Sequence, residues 1–185
     1  MSGHATIIAG FGGQGLLFAG QVLAQAAMTE GRQVSWMPSY GPEMRGGTAY
    51  CTVIVSERPI GSPIVDLADS VIALNPPSMA KFEPLLAPGG LLVANTSLIE
   101  AEPSRSDIEI AAIACTGLAR TAGHDRLASV VALGALVARR PIVSRDAVRA
   151  ALEEMTGAHH ADLLEMDLAA FDAGMAAARE GVAAT

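Results

Sequence analysis

Ala5-Thr6-Ile7-Ile8-Ala9-Gly10-Phe11-Gly12-Gly13-Gln14-Gly15 decides how the rest of the chain is read. A short apolar run enters four glycines within six residues, and a segment of helical periodicity follows over 16–28. The order is strand, tight turn, helix start. Gly10, Gly12 and Gly15 fit the spacing G-x-G-x-x-G, in which glycine permits a sharp turn, close approach of backbone to a ligand, and close packing of helix on strand. Such a turn presents backbone N–H groups at the positive end of a helix, which suits a phosphate or another anion. A turn that serves only helix–strand packing is the competing reading.

Outward from this turn, Leu16, Leu17, Leu23, Ala24, Ala27 and Met28 recur on one helical face. Gly20 lies inside that helix, where it costs about 1 kcal/mol relative to Ala, so it marks a close contact. Gly31 ends the helix and a second strand follows over 33–37, which predicts a βαβ unit with a parallel strand pair. Then comes Pro38-Ser39-Tyr40-Gly41-Pro42-Glu43-Met44-Arg45-Gly46-Gly47, dense in turn formers, and a β-branched strand over 48–56. The intervening segment is too short for a crossover helix, so this strand is expected to run antiparallel at a sheet edge. A strand over 70–74 stops at Asn75-Pro76-Pro77, a helix over 78–86 ends at Pro88-Gly89-Gly90, and strands follow over 91–94 and 108–111. The remainder is alanine-rich and helical, over 114–121, 125–139, 144–155 and 159–179, with Ser144 as an N-cap. The pattern predicts an α/β fold, Rossmann-like and doubly wound, with a mostly parallel sheet and a helical C-terminal part, forming one domain over 1–185.

Composition narrows the class of function. Of the 185 residues only 17% are charged and 51% are hydrophobic, against roughly 25% charged in ordinary soluble domains, so more apolar surface is expected than a monomer hides. A partner subunit is the natural reading; a small domain with a large core is the alternative. The net charge of −7 and the single lysine, Lys81, argue against nucleic acid or an anionic membrane surface as partner. No cationic leader precedes the first apolar run, and no run approaches the ~18 residues of a spanning helix, so a cytoplasmic protein is expected. Cys51 and Cys115 stand far apart and outside any C-x-x-C pattern, which points to buried apolar roles rather than a disulfide, zinc or iron–sulfur site.

The second strand carries no Asp or Glu at its end to hold a ribose, which disfavours NAD while leaving room for NADP beside an arginine. No Lys-Ser/Thr follows the glycines, so the loop is not a Walker A sequence. In a doubly wound sheet ligands bind at the carboxyl ends of the parallel strands. That edge should gather Gly12-Gly13-Gln14, the loop holding Tyr40 and Arg45, Asn75, and Asn95-Thr96-Ser97. One cation, several amides and a row of glycine N–H donors suit a phosphate-bearing ligand. An ion pair of Arg45 with Glu43 and capping roles for the asparagines are the alternatives. Neither a Ser/His/Asp arrangement nor a cysteine beside a histidine occurs, and the adjacent His159 and His160 lack further ligands nearby. The chain reads as a binding and assembly part.

Taken together, G-F-G-G-Q-G at residues 10–15, P-S-Y-G-P-E-M-R-G-G at 38–47, D-S-V-I-A-L-N at 69–75 and P-G-G-L-L at 88–92 resemble the gamma subunit of 2-oxoacid:ferredoxin oxidoreductases. The resemblance is strong over roughly 5–100, and the second motif looks most like the 2-oxoglutarate type. It implies a reaction in which a 2-oxoacid and coenzyme A give acyl-CoA and carbon dioxide, with two electrons passed to ferredoxin or a similar acceptor. It places thiamine diphosphate, Mg and iron–sulfur clusters on partner subunits, alpha and beta, with a ferredoxin-like delta subunit as a further candidate. For this chain it implies help in binding coenzyme A, carried onto Gly12, Gly13, Gln14, Arg45 and Asn95, with no catalytic residue and no metal. The alternatives are a purely structural subunit of such a complex, or the gamma subunit of a pyruvate, branched-chain, indolepyruvate or phenylglyoxylate relative. A stand-alone NADP-binding protein ranks behind both.

Overall fold

A computed structural model of the chain describes residues 3–39, 48–156 and 160–183. β1 (Gly3–Phe11) leads through the glycine turn into α1 (Leu16–Thr29), followed by β2 (Gln33–Ser39), β3 (Thr48–Ser56) and β4 (Ala68–Ala73). Then come α2 (Pro76–Phe82), a 3₁₀ turn (Glu83–Leu85), β5 (Leu86–Asn95), β6 (Glu109–Ile113) and α3 (Cys115–Ala122). A second 3₁₀ turn (Asp125–Leu127), α4 (Ala128–Arg139), α5 (Arg145–Thr156) and α6 (Ala161–Ala183) complete the order.

The strands form one sheet in the order β2-β3-β1-β4-β5-β6. β1, β4, β5 and β6 are parallel, and β3 runs antiparallel to both of its neighbours. Strand alternation sorts the core into two layers. Ile8, Ile72, Leu91 and Val93 point to one face, where they pack with α1, α3, α4, α5 and α6. Ile7, Ala9, Val71, Leu92 and Ala94 point to the other, where Met79 and Phe82 of α2 cover them. The mixed α/β class and the mostly parallel sheet are as expected, with the helices heavily biased to one face.

Three local expectations are corrected. β2 does not pair with β1: β3 is inserted between them, pairing with β1 from Gly3↔Ser56 to Phe11↔Thr48 and with β2 from Gln33↔Ser56 to Ser39↔Tyr50. β3 is antiparallel as expected but lies inside the sheet, and the edge falls to β2. Cys51, Val53 and Val55 of β3 alternate onto the face that α1 covers and are buried there, and the interior place gives β3 hydrogen-bonded neighbours along both edges. Finally, Pro88-Gly89-Gly90 does not end a helix. α2 stops at Phe82 and the three residues lie within β5, where the pairing with β4 shifts between Ala68 and Ser70 and Gly89 takes a φ of 73°.

Close contacts fix the helical layer. A Cβ on Gly20 would sit 2.5 Å from Cys51 Sγ and 3.0 Å from Trp36 Nε1, so α1 lies directly on β2 and β3. α4 and α6 cross backbone to backbone: a Cβ on Gly134 would overlap the Phe171 carbonyl oxygen, and one on Gly174 the Val131 carbonyl oxygen. Ser144 caps α5 by accepting the Ala147 amide at 3.1 Å. At the amino end of the sheet Glu109 of β6 takes Arg139 Nε at 2.6 Å and Arg140 Nη1 at 2.6 Å. Burial alone would raise the Glu109 carboxyl, but hydrogen bonds from Arg140 and Arg139 outweigh it and hold the group below its ordinary range.

Candidate functional site

The carboxyl ends of β1, β4, β5 and β6 share one edge of the sheet, and α1, α2 and α3 each begin there. Their N-termini bring partial positive charge to that edge. Gly12-Gly13-Gln14, Asn75 and Asn95-Thr96-Ser97 are gathered at it, as the sequence predicts. Tyr40 and Arg45, with the rest of 40–47, lie outside the described residues. The residues bounding that segment are at this edge, since Thr48 pairs with Phe11 and Ser39 with Tyr50.

The four glycines do different work. A Cβ on Gly10 would come within 2.6 Å of Gln14 Oε1, and one on Gly15 within 2.6 Å of the Arg126 carbonyl oxygen and 2.8 Å of Ser129 Oγ. Gly15 also holds a φ of 75°, a region costly for other residues. Close packing inside the chain, against Gln14 and Leu74 for Gly10 and against the second 3₁₀ turn and α4 for Gly15, therefore accounts for these two. It does not account for Gly12, where a Cβ would meet nothing within 4 Å, nor for the same open space at Gly13, whose φ is 92°. Both are exposed, so the crest of the turn is bare backbone.

Beneath the crest lies a chain of side-chain amides. Gln14 Oε1 accepts the Phe11 amide at 2.7 Å and Asn75 Nδ2 at 3.3 Å, while Gln14 Nε2 donates to the Leu74 carbonyl at 3.5 Å. Asn75 Oδ1 accepts the Ser78 amide at 2.9 Å and so caps α2. Asn95 Nδ2 donates to the Leu74 carbonyl at 3.1 Å and to Thr116 Oγ1 at 3.0 Å. Asn95 Oδ1 accepts the Ser97 and Thr116 amides, each at 3.3 Å. Asn75 and Asn95 are both fully buried, and the four bonding positions of the Asn95 amide are all taken within the chain. The network ties the ends of β1, β4 and β5 to the start of α3.

Thr116 is a member that the sequence reading missed. The only signal was its position just past the end of the last strand. A second omission is Asp167, an acid among Leu164, Ala170 and Phe171 at helical spacing on α6. It is only 7% exposed, and burial pushes its carboxyl up to about 6. With Phe18, His124, Arg126 and Leu127 it lines a cavity of about 440 Å³.

Cys51 and Cys115 are buried, and burial pushes both thiols up to about 12, so neither is a thiolate nucleophile at neutral pH. Among the described residues no group of three or more His, Cys, Asp or Glu is placed to hold a metal ion. Among the same residues no helix is long and apolar enough to cross a membrane. The edge can bind and orient an anionic ligand through backbone N–H groups.

Comparison with known proteins places these features in a family. The model of the family described as pyruvate ferredoxin/flavodoxin oxidoreductase matches residues 5–177. The chain is 39% identical to ketoisovalerate oxidoreductase subunit VorA of Methanothermobacter thermautotrophicus, over 95% of this chain and 36% of that protein. It therefore spans about a third of that relative's length. It is 34% identical to 2-oxoglutarate synthase subunit KorC of the same organism, covering 94% of each chain. Among solved structures it is similar to the gamma subunit of keto/oxoacid ferredoxin oxidoreductase from Geobacter sulfurreducens, at 30% identity and a TM-score of 0.83 over 96% of this chain and 99% of that one. It is also similar to 2-oxoglutarate:ferredoxin oxidoreductase from Magnetococcus marinus, solved with 2-oxoglutarate, coenzyme A and succinyl-CoA bound. That match has 25% identity and a TM-score of 0.88, over 97% of this chain and 32% of the other.

Proposed function

Because the chain belongs to the pyruvate ferredoxin/flavodoxin oxidoreductase family, we propose that it serves as the gamma subunit of a 2-oxoacid:ferredoxin oxidoreductase and helps to hold coenzyme A. The observation that carries this reading is the bare crest of the glycine turn. Gly12 and Gly13 leave open space above exposed backbone at the sheet edge where α1 begins. A coenzyme diphosphate fits such a place, because N–H groups and a helix N-terminus stabilise it without any side chain in the way. Gln14 sets the turn from below, and Arg45, carried on a segment that starts and ends at this edge, is the cation for a phosphate. Asn95, with its amide fully engaged, acts from beneath by fixing the strand ends.

In the assembled enzyme a 2-oxoacid and coenzyme A are converted to acyl-CoA and carbon dioxide, and ferredoxin or a similar acceptor takes the two electrons. The alpha and beta subunits, with a ferredoxin-like delta subunit as a further candidate, would hold the thiamine diphosphate, Mg and iron–sulfur clusters, which would supply the decarboxylation and electron-transfer chemistry. The chain contributes no catalytic residue of its own. For the substrate we favour 2-oxoglutarate, since the KorC relative matches this chain from end to end. Ketoisovalerate is the second reading, supported by the higher identity to VorA. A purely structural subunit would not need the bare turn.

The test is to purify the chain from its host with its natural partners and assay coenzyme A-dependent reduction of a viologen dye. The expected result is co-purifying thiamine- and iron–sulfur-containing subunits, with oxidation of 2-oxoglutarate faster than of ketoisovalerate. A lone protein that binds a dinucleotide and supports no such activity would overturn the proposal.

A further inference from the structure

Another cavity, of about 290 Å³, opens at the amino end of the sheet. It is lined by His4 of β1, Arg32 after α1, Ser56 and Glu57 at the end of β3, and Arg140 and Ile142 after α4. The glycine turn lies at the other edge: β1 runs Gly3–Phe11 between the two, roughly 25 Å at about 3.3 Å per residue.

Two guanidinium groups decide the chemistry of this cavity. Arg140 is held in place, with Nη1 donating to Glu109 Oε2 at 2.6 Å and to the Arg139 carbonyl at 3.3 Å, and Nη2 donating to the Gly89 carbonyl at 3.1 Å. A guanidinium carries five N–H groups, so two remain uncommitted, that of Nε among them. Glu109 is shared between Arg139 and Arg140, which leaves one positive charge of the three groups uncompensated. Arg32 is half-buried, and its side chain makes no hydrogen bond or ion pair among the described residues. Glu57 is exposed, so water serves its carboxylate, and it forms no ion pair with either arginine. His4 Nε2 lies 3.0 Å from Ser70 Oγ. Burial lowers its imidazole from the ordinary value, Asp69 opposes this and Arg140 adds to it, so the ring is neutral near pH 7. A partly desolvated cation without a counter-ion is unfavourable, and an oxyanion relieves both arginines at once through charge-assisted hydrogen bonds.

We propose that this cavity binds a small oxyanion, a phosphate or carboxylate group, between Arg32 and Arg140, with His4 as a further donor. The site is independent of the coenzyme A reading, since it stands on other residues at the other end of the sheet. A bound anion ties together the start of β1, the turn after α1 and the connection from α4 to α5.

The test is thermal melting of the full chain in sodium phosphate or sodium succinate, against sodium chloride at equal ionic strength, with the His4 imidazole followed by NMR. The expected result is a melting temperature that climbs with the concentration of phosphate or succinate. The His4 titration should move to higher pH at the same time, because a neighbouring anion favours the protonated ring. The anion that gives the larger response names the ligand class, phosphoryl or carboxylate. Arg32→Gln gives up no bond within the chain, so it should fold like the wild type and weaken binding about tenfold, the scale of one hydrogen bond between charged groups. No response to either anion, or a response that Arg32→Gln leaves intact, overturns the proposal. So does a melting response with the His4 titration unmoved, which would put the anion on the glycine turn.

Discussion

Asn75 donates its side-chain amide to Gln14 Oε1 across 3.3 Å, joining the end of β4 to the turn that follows β1. Gln14 is thereby the inner anchor of a loop whose outer atoms are glycine. Gln14→Ala deletes acceptor and donor together and leaves the Phe11 amide without its 2.7 Å partner. At roughly 1 kcal/mol net for each hydrogen bond, a loss of about 2 kcal/mol is expected in urea denaturation of the chain. In the complex, the Michaelis constant for coenzyme A should rise while that for the 2-oxoacid stays put.

Gly12 and Gly13 can be told apart. At Gly13, with φ at 92°, alanine should cost about 1–2 kcal/mol of stability, visible as a lower midpoint in thermal melting. Gly12 has no such φ and no atom within 4 Å of its Cβ position, so Gly12→Ala should melt like the wild type. Its methyl group nevertheless stands where the coenzyme must come. An unchanged coenzyme A Michaelis constant in Gly12→Ala would argue for a partner subunit over the turn instead.

Arg45→Ala should weaken coenzyme A by about tenfold, the scale of one charge-assisted contact to phosphate. Dephospho-coenzyme A and coenzyme A, compared in steady-state kinetics, would show which phosphate it serves. Equal Michaelis constants in variant and wild type sink the assignment.

The α4–α6 crossing tolerates no side chain at its centre. Gly174→Ala would drive a methyl into the Val131 carbonyl oxygen, and Gly134→Ala one into that of Phe171. Each should destabilise by about 3 kcal/mol, because the obstruction is backbone that moves only with its helix. Chemical denaturation of the two single variants reads this directly.

Asp167 makes stability fall as pH rises. Burial raises its carboxyl to about 6 in the folded chain, against roughly 4 when unfolded, so the folded state binds the proton more tightly between those values. That contribution is present below pH ~4 and is lost on passing through pH 6. Asp167→Asn should therefore match the wild type near pH 4 and melt higher at pH 7.5. Parallel melting curves for the two proteins across that range would show that the carboxyl is solvated. His124 and Arg126 line the same cavity.

Local sequence sufficed wherever short-range physics decides. The glycine turn could be read from spacing because Gly13 and Gly15 take backbone angles that favour glycine, and β1, α1 and β4 followed from their apolar periods. Ser144 as a cap and Gly20 as a close contact were legible for the same reason. The tertiary structure alone decided the place of β3, since nothing local to 48–56 distinguishes an edge strand from one inserted between β2 and β1. It also turned Asn95 inward, where three of its four bonds join residues 21 positions apart and the fourth residues two apart, and brought Thr116 to the same point. Asp167 shows the limit most plainly. A carboxyl on an apolar helical face reads as an ordinary surface acid until the packing of α1, α5 and α6 removes its water, and burial is a property of the whole fold rather than of any segment.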